Sequence, residues 1–159
     1  MKNTEKALIW IVEILEKYQI SYFISGGFAA RAYGVERPLF DIDIEVADAD
    51  ILKIFPEVRE YATFGPDRFK DEQWDLNLLT LQYEGQDIDI AGTDARIFNT
   101  HTQKWEKEIA ERSTVLFSLY GRQVPVQDMD SLIDYKKKLS RPVDLEDVRQ
   151  LEILREKTK

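Results

Sequence analysis

One tetrapeptide, Asp-Ile-Asp-Ile, occurs twice in this chain, as Asp41-Ile42-Asp43-Ile44 and as Asp87-Ile88-Asp89-Ile90. Alternation of a charged and a β-branched residue fits an extended strand, because successive side chains on a strand point to opposite faces. Each copy therefore sets two carboxylates on one face and two isoleucines on the other. The isoleucines call for an apolar layer behind the sheet. The carboxylates need a different explanation. Like charges a few ångströms apart repel, and each raises the pKa of the other unless something neutralises both. A divalent cation does this, and Mg²⁺ takes a few carboxylates together with waters and substrate phosphates. A short amphipathic strand with a solvated edge carries the same pattern, so one copy alone leaves both readings open. Residues 41–45 lack the glycine and the distant Glu of an EF-hand loop, which disfavours calcium.

Upstream stands Ser25-Gly26-Gly27, between a segment rich in β-formers and a short helical one. Glycines let the backbone turn sharply and approach a ligand closely. The N–H groups at the helix start favour an anion such as phosphate. Neither a P-loop nor a GxGxxG is present, which excludes the two commonest nucleotide motifs. A tight strand-to-helix turn would also use Gly-Gly. What distinguishes this one is its spacing to Arg37 and the first Asp pair.

The remaining composition narrows the chemistry. The 159 residues contain no Cys and one His, and 22 Lys and Arg against 30 Asp and Glu leave a net charge of −8. These counts exclude a disulfide scaffold, a thiolate metal site, a Cys nucleophile and multi-His zinc centres. The acidic balance argues against a broad basic face for nucleic acid. Any chemistry rests largely on carboxylates. The length suits one domain over residues 1–159, able to bury roughly 68–70% of its unfolded surface. The apolar stretch near the N-terminus is broken by Glu13 and Glu16, so neither a signal peptide nor a membrane span fits, and the chain reads as cytoplasmic.

The coarse reading is a mixed α+β domain. Helices are expected over residues 4–18 (capped by Asn3 or Thr4), 28–33 (stopped by Gly34) and, despite Pro56, 50–59. Strands are expected over residues 20–24, 40–46, 74–83 and 86–91, the last two joined at Glu84-Gly85 as a hairpin. A second hairpin spans residues 115–120 and 123–126 about Gly121-Arg122. From about residue 128 the chain turns helical, with helices over 129–139 (capped by Asp128) and 144–156, separated by Arg141-Pro142. Residues 60–73 receive no assignment.

Taken together, Gly26-Gly27-Phe28-Ala29, Tyr33-Gly34, Arg37 and Asp41-Ile42-Asp43-Ile44 resemble the signature of the polymerase-β-type nucleotidyltransferase superfamily. The likeness is strongest to the small bacterial lincosamide and aminoglycoside nucleotidyltransferase-like proteins. Their tail pattern, Lys…Arg-x-x-Asp-x-x-Asp, is similar to Lys136, Arg141, Asp144 and Asp147 here. The resemblance implies a nucleotidyltransferase fold: a small mixed β-sheet flanked by helices, with a helical C-terminal tail. It implies that Ser25, Gly26 and Gly27 hold a nucleoside triphosphate, with ATP the expected donor. Asp41 and Asp43 would bind Mg²⁺ or Mn²⁺. Asp89 is the choice for the third carboxylate, with Asp87, on the same face, as the other candidate. Arg37 would pair with the triphosphate or brace the carboxylates, and Lys136 would reach phosphate from the tail. Many relatives carry Thr two residues before the first Asp; here that position is Leu39.

The implied activity is metal-dependent transfer of a nucleoside monophosphate to a hydroxyl of a small-molecule acceptor, with a nucleic-acid acceptor disfavoured, no membrane partner, and a homodimer conceivable. The alternative is a nucleotide-binding or toxin–antitoxin-type module that keeps the fold without such transfer; a further rival is an acidic interaction protein with no metal site. Other residues read as structural. His101 lies in a polar loop, Trp10, Trp74 and Trp105 as core or interface, and Lys136-Lys137-Lys138, the resemblance aside, as a solvated helix face.

Overall fold

A computed structural model describes residues 1–108 and 113–159. The elements run α1 (Thr4–Lys17), β1 (Tyr22–Ser25), α2 (Gly26–Tyr33), β2 (Asp41–Val46), α3 (Asp48–Val58), a 3₁₀ turn (Arg59–Tyr61), β3 (Ala62–Lys70), β4 (Trp74–Tyr83), β5 (Gln86–Gly92), β6 (Arg96–Asn99), β7 (Lys104–Lys107), β8 (Thr114–Leu119), β9 (Arg122–Gln127), α4 (Met129–Leu139) and α5 (Pro142–Lys157). The strands form one mixed sheet in the order β7-β6-β4-β5-β2-β1-β9-β8, with β3 on the other edge of β4. β2 pairs parallel with β5 and antiparallel with β1, so the strand bearing the first Asp pair lies inside the sheet. No helix of the described residues is long and apolar enough to cross a membrane.

The isoleucines of both tetrapeptides do what alternation demands. Ile42, Ile44, Ile88 and Ile90 are essentially inaccessible and join Leu8, Ile11 and Leu15 of α1 and Ile51 and Ile54 of α3 in one core. Each such side chain contributes about 1.5–3 kcal/mol through burial. The α1 start is capped at Asn3, whose Oδ1 accepts the Lys6 N–H at 3.0 Å. Asp128 caps α4, its Oδ1 accepting from the Ser131 N–H at 2.9 Å.

Several boundaries differ from the sequence reading. β1 starts later than expected and ends at Ser25, and α2 begins directly at Gly26. The second hairpin turns at Tyr120-Gly121, both at positive φ, one residue earlier than expected. Pro142 opens α5 rather than separating it from α4, because a proline at the first helical position gives up no needed N–H. The unassigned stretch holds β3, in which Gly65-Pro66 sits at a register shift. A proline is tolerated there because β3 pairs on one side only among the described residues. The β6–β7 hairpin was not anticipated, and His101 lies in its exposed turn, 3.0 Å from the Lys137 carbonyl.

Candidate active site

The two hairpin-like pairings and the parallel pairing align one residue from each of four strands. Ser25 on β1 is opposite Asp43 on β2, Asp43 is opposite Asp89 on β5, and Asp89 is opposite Thr80 on β4. Asp41 lies two residues from Asp43 on the same face. As a result, carboxylate oxygens of Asp41, Asp43 and Asp89 lie within 4.8 Å of one another, and all three residues are partly buried. Asp87 is opposite Asp41 but exposed, and its Oδ1 accepts from Gln82 Nε2 at 2.9 Å. The structure thus brings Asp89, and not Asp87, together with the first pair.

The electrostatics of this cluster are unbalanced. Burial, then the charges of Asp89 and Asp41, push the Asp43 carboxyl well above its ordinary value, against the opposing pull of Lys136 and of the Gly27 N–H. Burial and the charges of Asp41 and Asp87 push Asp89 up to about 7. Asp41 is raised by burial and by Asp87, with Lys2 working the other way. Three hard oxygen donors in mutual reach, each costly to ionise beside the others, suit a divalent cation such as Mg²⁺ or Mn²⁺.

The Gly-Gly turn is tied to the same cluster. The Gly27 N–H donates to Asp43 Oδ2 at 3.2 Å, so the first turn of α2 orients a carboxylate of the cluster. Gly26 has φ +59°, and a Cβ on it would lie 2.3 Å from Asp43 Oδ2. Only glycine meets both conditions. Ser25 is buried and makes no side-chain cap to α2.

The tail closes the site with a chain of alternating charges. Arg37 grips Asp147 with two hydrogen bonds, Nε to Oδ1 at 2.7 Å and Nη2 to Oδ2 at 2.9 Å. Lys136 Nζ lies 2.9 Å from Asp147 Oδ2 and 3.8 Å from Asp144 Oδ1, with its side chain 3% exposed. Arg141 Nε in turn meets Asp144 Oδ2 at 2.6 Å. Arg37 therefore braces a carboxylate of α5, and its Nη2 lies where a Cβ on Gly27 would go. Lys136 departs from the solvated face expected of its run, since α4 turns it inward; Lys137 and Lys138 pair at the surface with Glu152 and with Glu106 and Asp134. Burial works to raise Asp147, but the hydrogen bonds and charges of Arg37 and Lys136 outweigh it and hold the carboxyl below its usual range.

Ser25, Gly26, Gly27, Arg37, Asp41, Asp43, Asp89 and Lys136 all border one cavity of about 430 Å³, whereas Asp87 and Asp147 do not. Its further wall was not anticipated. Trp74, Leu76, Leu78 and Thr80 alternate along β4 into the cavity, while Leu79 and Leu81 fill the core behind. Trp74 is thus a cavity residue, whereas Trp10 stacks on Tyr83 at 4.1 Å and Trp105 meets Phe98 edge-on. The Trp74 indole is fixed twice: Nε1 donates to the Tyr135 hydroxyl at 2.7 Å, and the Arg141 guanidinium lies 4.9 Å from the ring. The signal was present in the hairpin: a two-residue turn at Glu84-Gly85 dictates that Thr80 faces Asp89. Leu39, at the position where relatives carry Thr, is buried against the same cavity and its carbonyl accepts from Lys2.

Neither a family model nor a curated protein sequence matches the chain. Solved structures do. A Thermotoga maritima protein provisionally assigned as a nucleotidyltransferase superposes with TM-score 0.73 at 20% identity, covering 94% of each chain. The lincosamide antibiotic adenylyltransferase LnuA, solved with lincomycin, gives TM-score 0.64 at 16% identity over 97% of this chain and 99% of that one. ANT(2″)-Ia, solved with adenylyl-2″-tobramycin, gives TM-score 0.57 at 19% identity over 96% of this chain and 95% of that one. With the sheet order, the inward Asp trio and the Gly-Gly turn already described, these superpositions establish that the chain has the nucleotidyltransferase fold.

Proposed function

We propose that this protein transfers a nucleoside monophosphate from a nucleoside triphosphate, with ATP the expected donor, to a hydroxyl of a small molecule. The observation that carries the reading is the trio of carboxylates within 4.8 Å at the foot of a Gly-Gly turn. Asp41, Asp43 and Asp89 would hold Mg²⁺ or Mn²⁺. Such a cation, when bound, offsets the charge of the triphosphate and of the oxygens that gain charge during transfer.

The remaining work falls to the chain itself. Asp43 is oriented by the Gly27 N–H. Asp89, on the side of the trio away from the Gly-Gly turn, would take the proton from the acceptor hydroxyl as that oxygen attacks the α-phosphorus and pyrophosphate leaves. The Gly26–Gly27 backbone lies beside the carboxylates and offers a close approach for phosphate oxygens. Lys136 and Arg37 add positive charge around that approach, held by Asp147 and Asp144. The acidic surface disfavours a polynucleotide acceptor, and the work would be done in the cytoplasm.

The test is a thermal shift with Mg²⁺ and each nucleoside triphosphate, followed by pyrophosphate release across a panel of hydroxyl acceptors. Stabilisation with release supports transfer. Stabilisation with no release across the panel supports a nucleotide-binding module, and no stabilisation by any nucleotide refutes both.

A further inference from the structure

Resting on the transfer reading, we infer that the acceptor is a hydroxyl compound with an apolar, ring-bearing body that lies along β4, and not a polycationic sugar. The first step is directional. In an in-line displacement the attacking and leaving oxygens stand on opposite sides of the phosphorus. The row Ser25, Asp43, Asp89, Thr80 runs across four neighbouring strands, with the Gly-Gly turn at its β1 end. With pyrophosphate at that turn, the acceptor oxygen enters from the Asp89 side and meets Thr80.

Beyond Thr80 the cavity wall is apolar. Leu78, Leu76 and Trp74 follow at every second position, and Phe69 faces Leu76 across the β3–β4 pair. Opposite Leu78, β5 carries Ala91, whose single methyl leaves the trough open. From Thr80 to Trp74 the strand covers about 20 Å at roughly 3.3 Å per residue. That length suits a molecule of two or three rings. Trp74 is held rigid by Tyr135 and Arg141, so stacking a ring on it costs little further order.

The same wall suits a polycation poorly. The charged and polar members of this stretch, Asp75 and Asn77, alternate to the other face, where Asp75 is engaged by Arg68 and Asn77 donates to Asp48. Of the carboxylates that border the cavity outside the Asp trio, Asp144 is held by Arg141 and Lys136, while Glu108 and Glu45, after burial, raise the hydroxyl pKa of Tyr135. A cationic sugar laid along β4 would give up hydration against leucine and tryptophan.

The experiment uses the full chain with Mg²⁺ and an ATP analogue whose α–β bridging oxygen is replaced by a methylene. Saturation-transfer NMR then compares naphthylethanol with glucosamine, and pyrophosphate release with ATP compares the two as acceptors. The expected result is that naphthylethanol binds and supports the faster release, and that Leu78→Asn weakens its binding about tenfold while leaving nucleotide binding unchanged. Leu78→Ala provides the milder variant should the first fold poorly. Preferential binding or turnover of glucosamine, or naphthylethanol binding indifferent to both Leu78 variants, overturns the inference. Nucleotide binding without naphthylethanol binding also overturns it and leaves the transfer reading standing. Loss of nucleotide binding in the unaltered chain removes the transfer reading itself.

Discussion

Asp41-Ile42-Asp43-Ile44 and Asp87-Ile88-Asp89-Ile90 lie side by side in parallel register, each residue opposite its namesake. The isoleucines behave alike, and all four are buried in the same core. The aspartates do not. Both of the first pair, but only the second member of the other, belong to the carboxylate cluster. The difference comes from the strands on either side. β2 lies between β1 and β5, so Asp43 is flanked by Ser25 and Asp89 and sits under the start of α2. Asp87 is instead paired with Gln82 beside the β4–β5 turn, where it is exposed and accepts that amide. Identical local sequence fixes the strand and its buried face; the neighbouring strands decide which carboxylates join the cluster.

Substitutions can break that comparison, and the largest effect is expected at Asp43. Asp43→Asn should lower nucleotidyl transfer about a thousandfold or more, a loss on the scale of 4 kcal/mol of transition-state stabilisation, without lowering the melting temperature of the metal-free protein. Pyrophosphate release and a thermal melt check the two halves; near-normal turnover would remove Asp43 from the site. Asp89→Asn should approach this loss, since it removes both a cluster carboxylate and the group proposed to take the acceptor proton.

The next effect concerns the buried ion pairs of the tail beside the site. Lys136→Met leaves the inaccessible Asp144 and Asp147 short of a partner and should destabilise the fold by about 3–5 kcal/mol in a denaturant melt. Lys137→Met removes an exposed pair with Glu152 and should change stability by less than about 1 kcal/mol. Equal effects of the two would show that the inward turn of Lys136 contributes nothing.

A smaller effect is expected in acid. The Asp147 carboxyl is depressed in the folded chain, so its stabilisation is fully present above the unfolded value, about 3.9, and is lost as pH falls through the lower folded value. Asp147→Asn should therefore flatten the fall in stability below about pH 4. An unchanged acid limb would mean that Arg37 and Lys136 do not favour the ionised form. The smallest effect is expected at Asp87→Asn, which should leave turnover within about twofold; a loss like that of Asp89→Asn would erase the asymmetry between the two tetrapeptides.

How much of this could be read from the chain depends on how local the determinants are. β4 and α4 were legible to the residue, because alternation ending at a Glu-Gly turn and an Asp cap before an apolar helix are signals within a few positions. The spacing linked the Gly-Gly turn to the first Asp pair, but the hydrogen bond from Gly27 to Asp43 depends on the β1–β2 pairing and was not read from the sequence. β3 was obscured because Gly65-Pro66 reads as a breaker, and only its edge position makes the pair tolerable. Lys136 was misjudged on local grounds because a run of three lysines looks solvated until Asp144 and Asp147 are known to meet it from the next helix. The parallel pairing of β2 with β5, which selects Asp89 over Asp87, has no local signal at all; it depends on contacts between segments far apart in the chain.

Because the β4–β5 turn joins the strands through two residues, it also sets the parity of β4: even-numbered positions from Trp74 to Thr80 line the cavity and odd ones do not. Leu79 and Leu81 fix the same parity from the core side, so a residue added to that surface turn loops out and the even positions keep facing the cavity. The Asp trio would be untouched, because Asp89 keeps its register with β2. Changes at Leu76 and Leu78 thus reshape that wall without altering a carboxylate of the cluster or the core behind it.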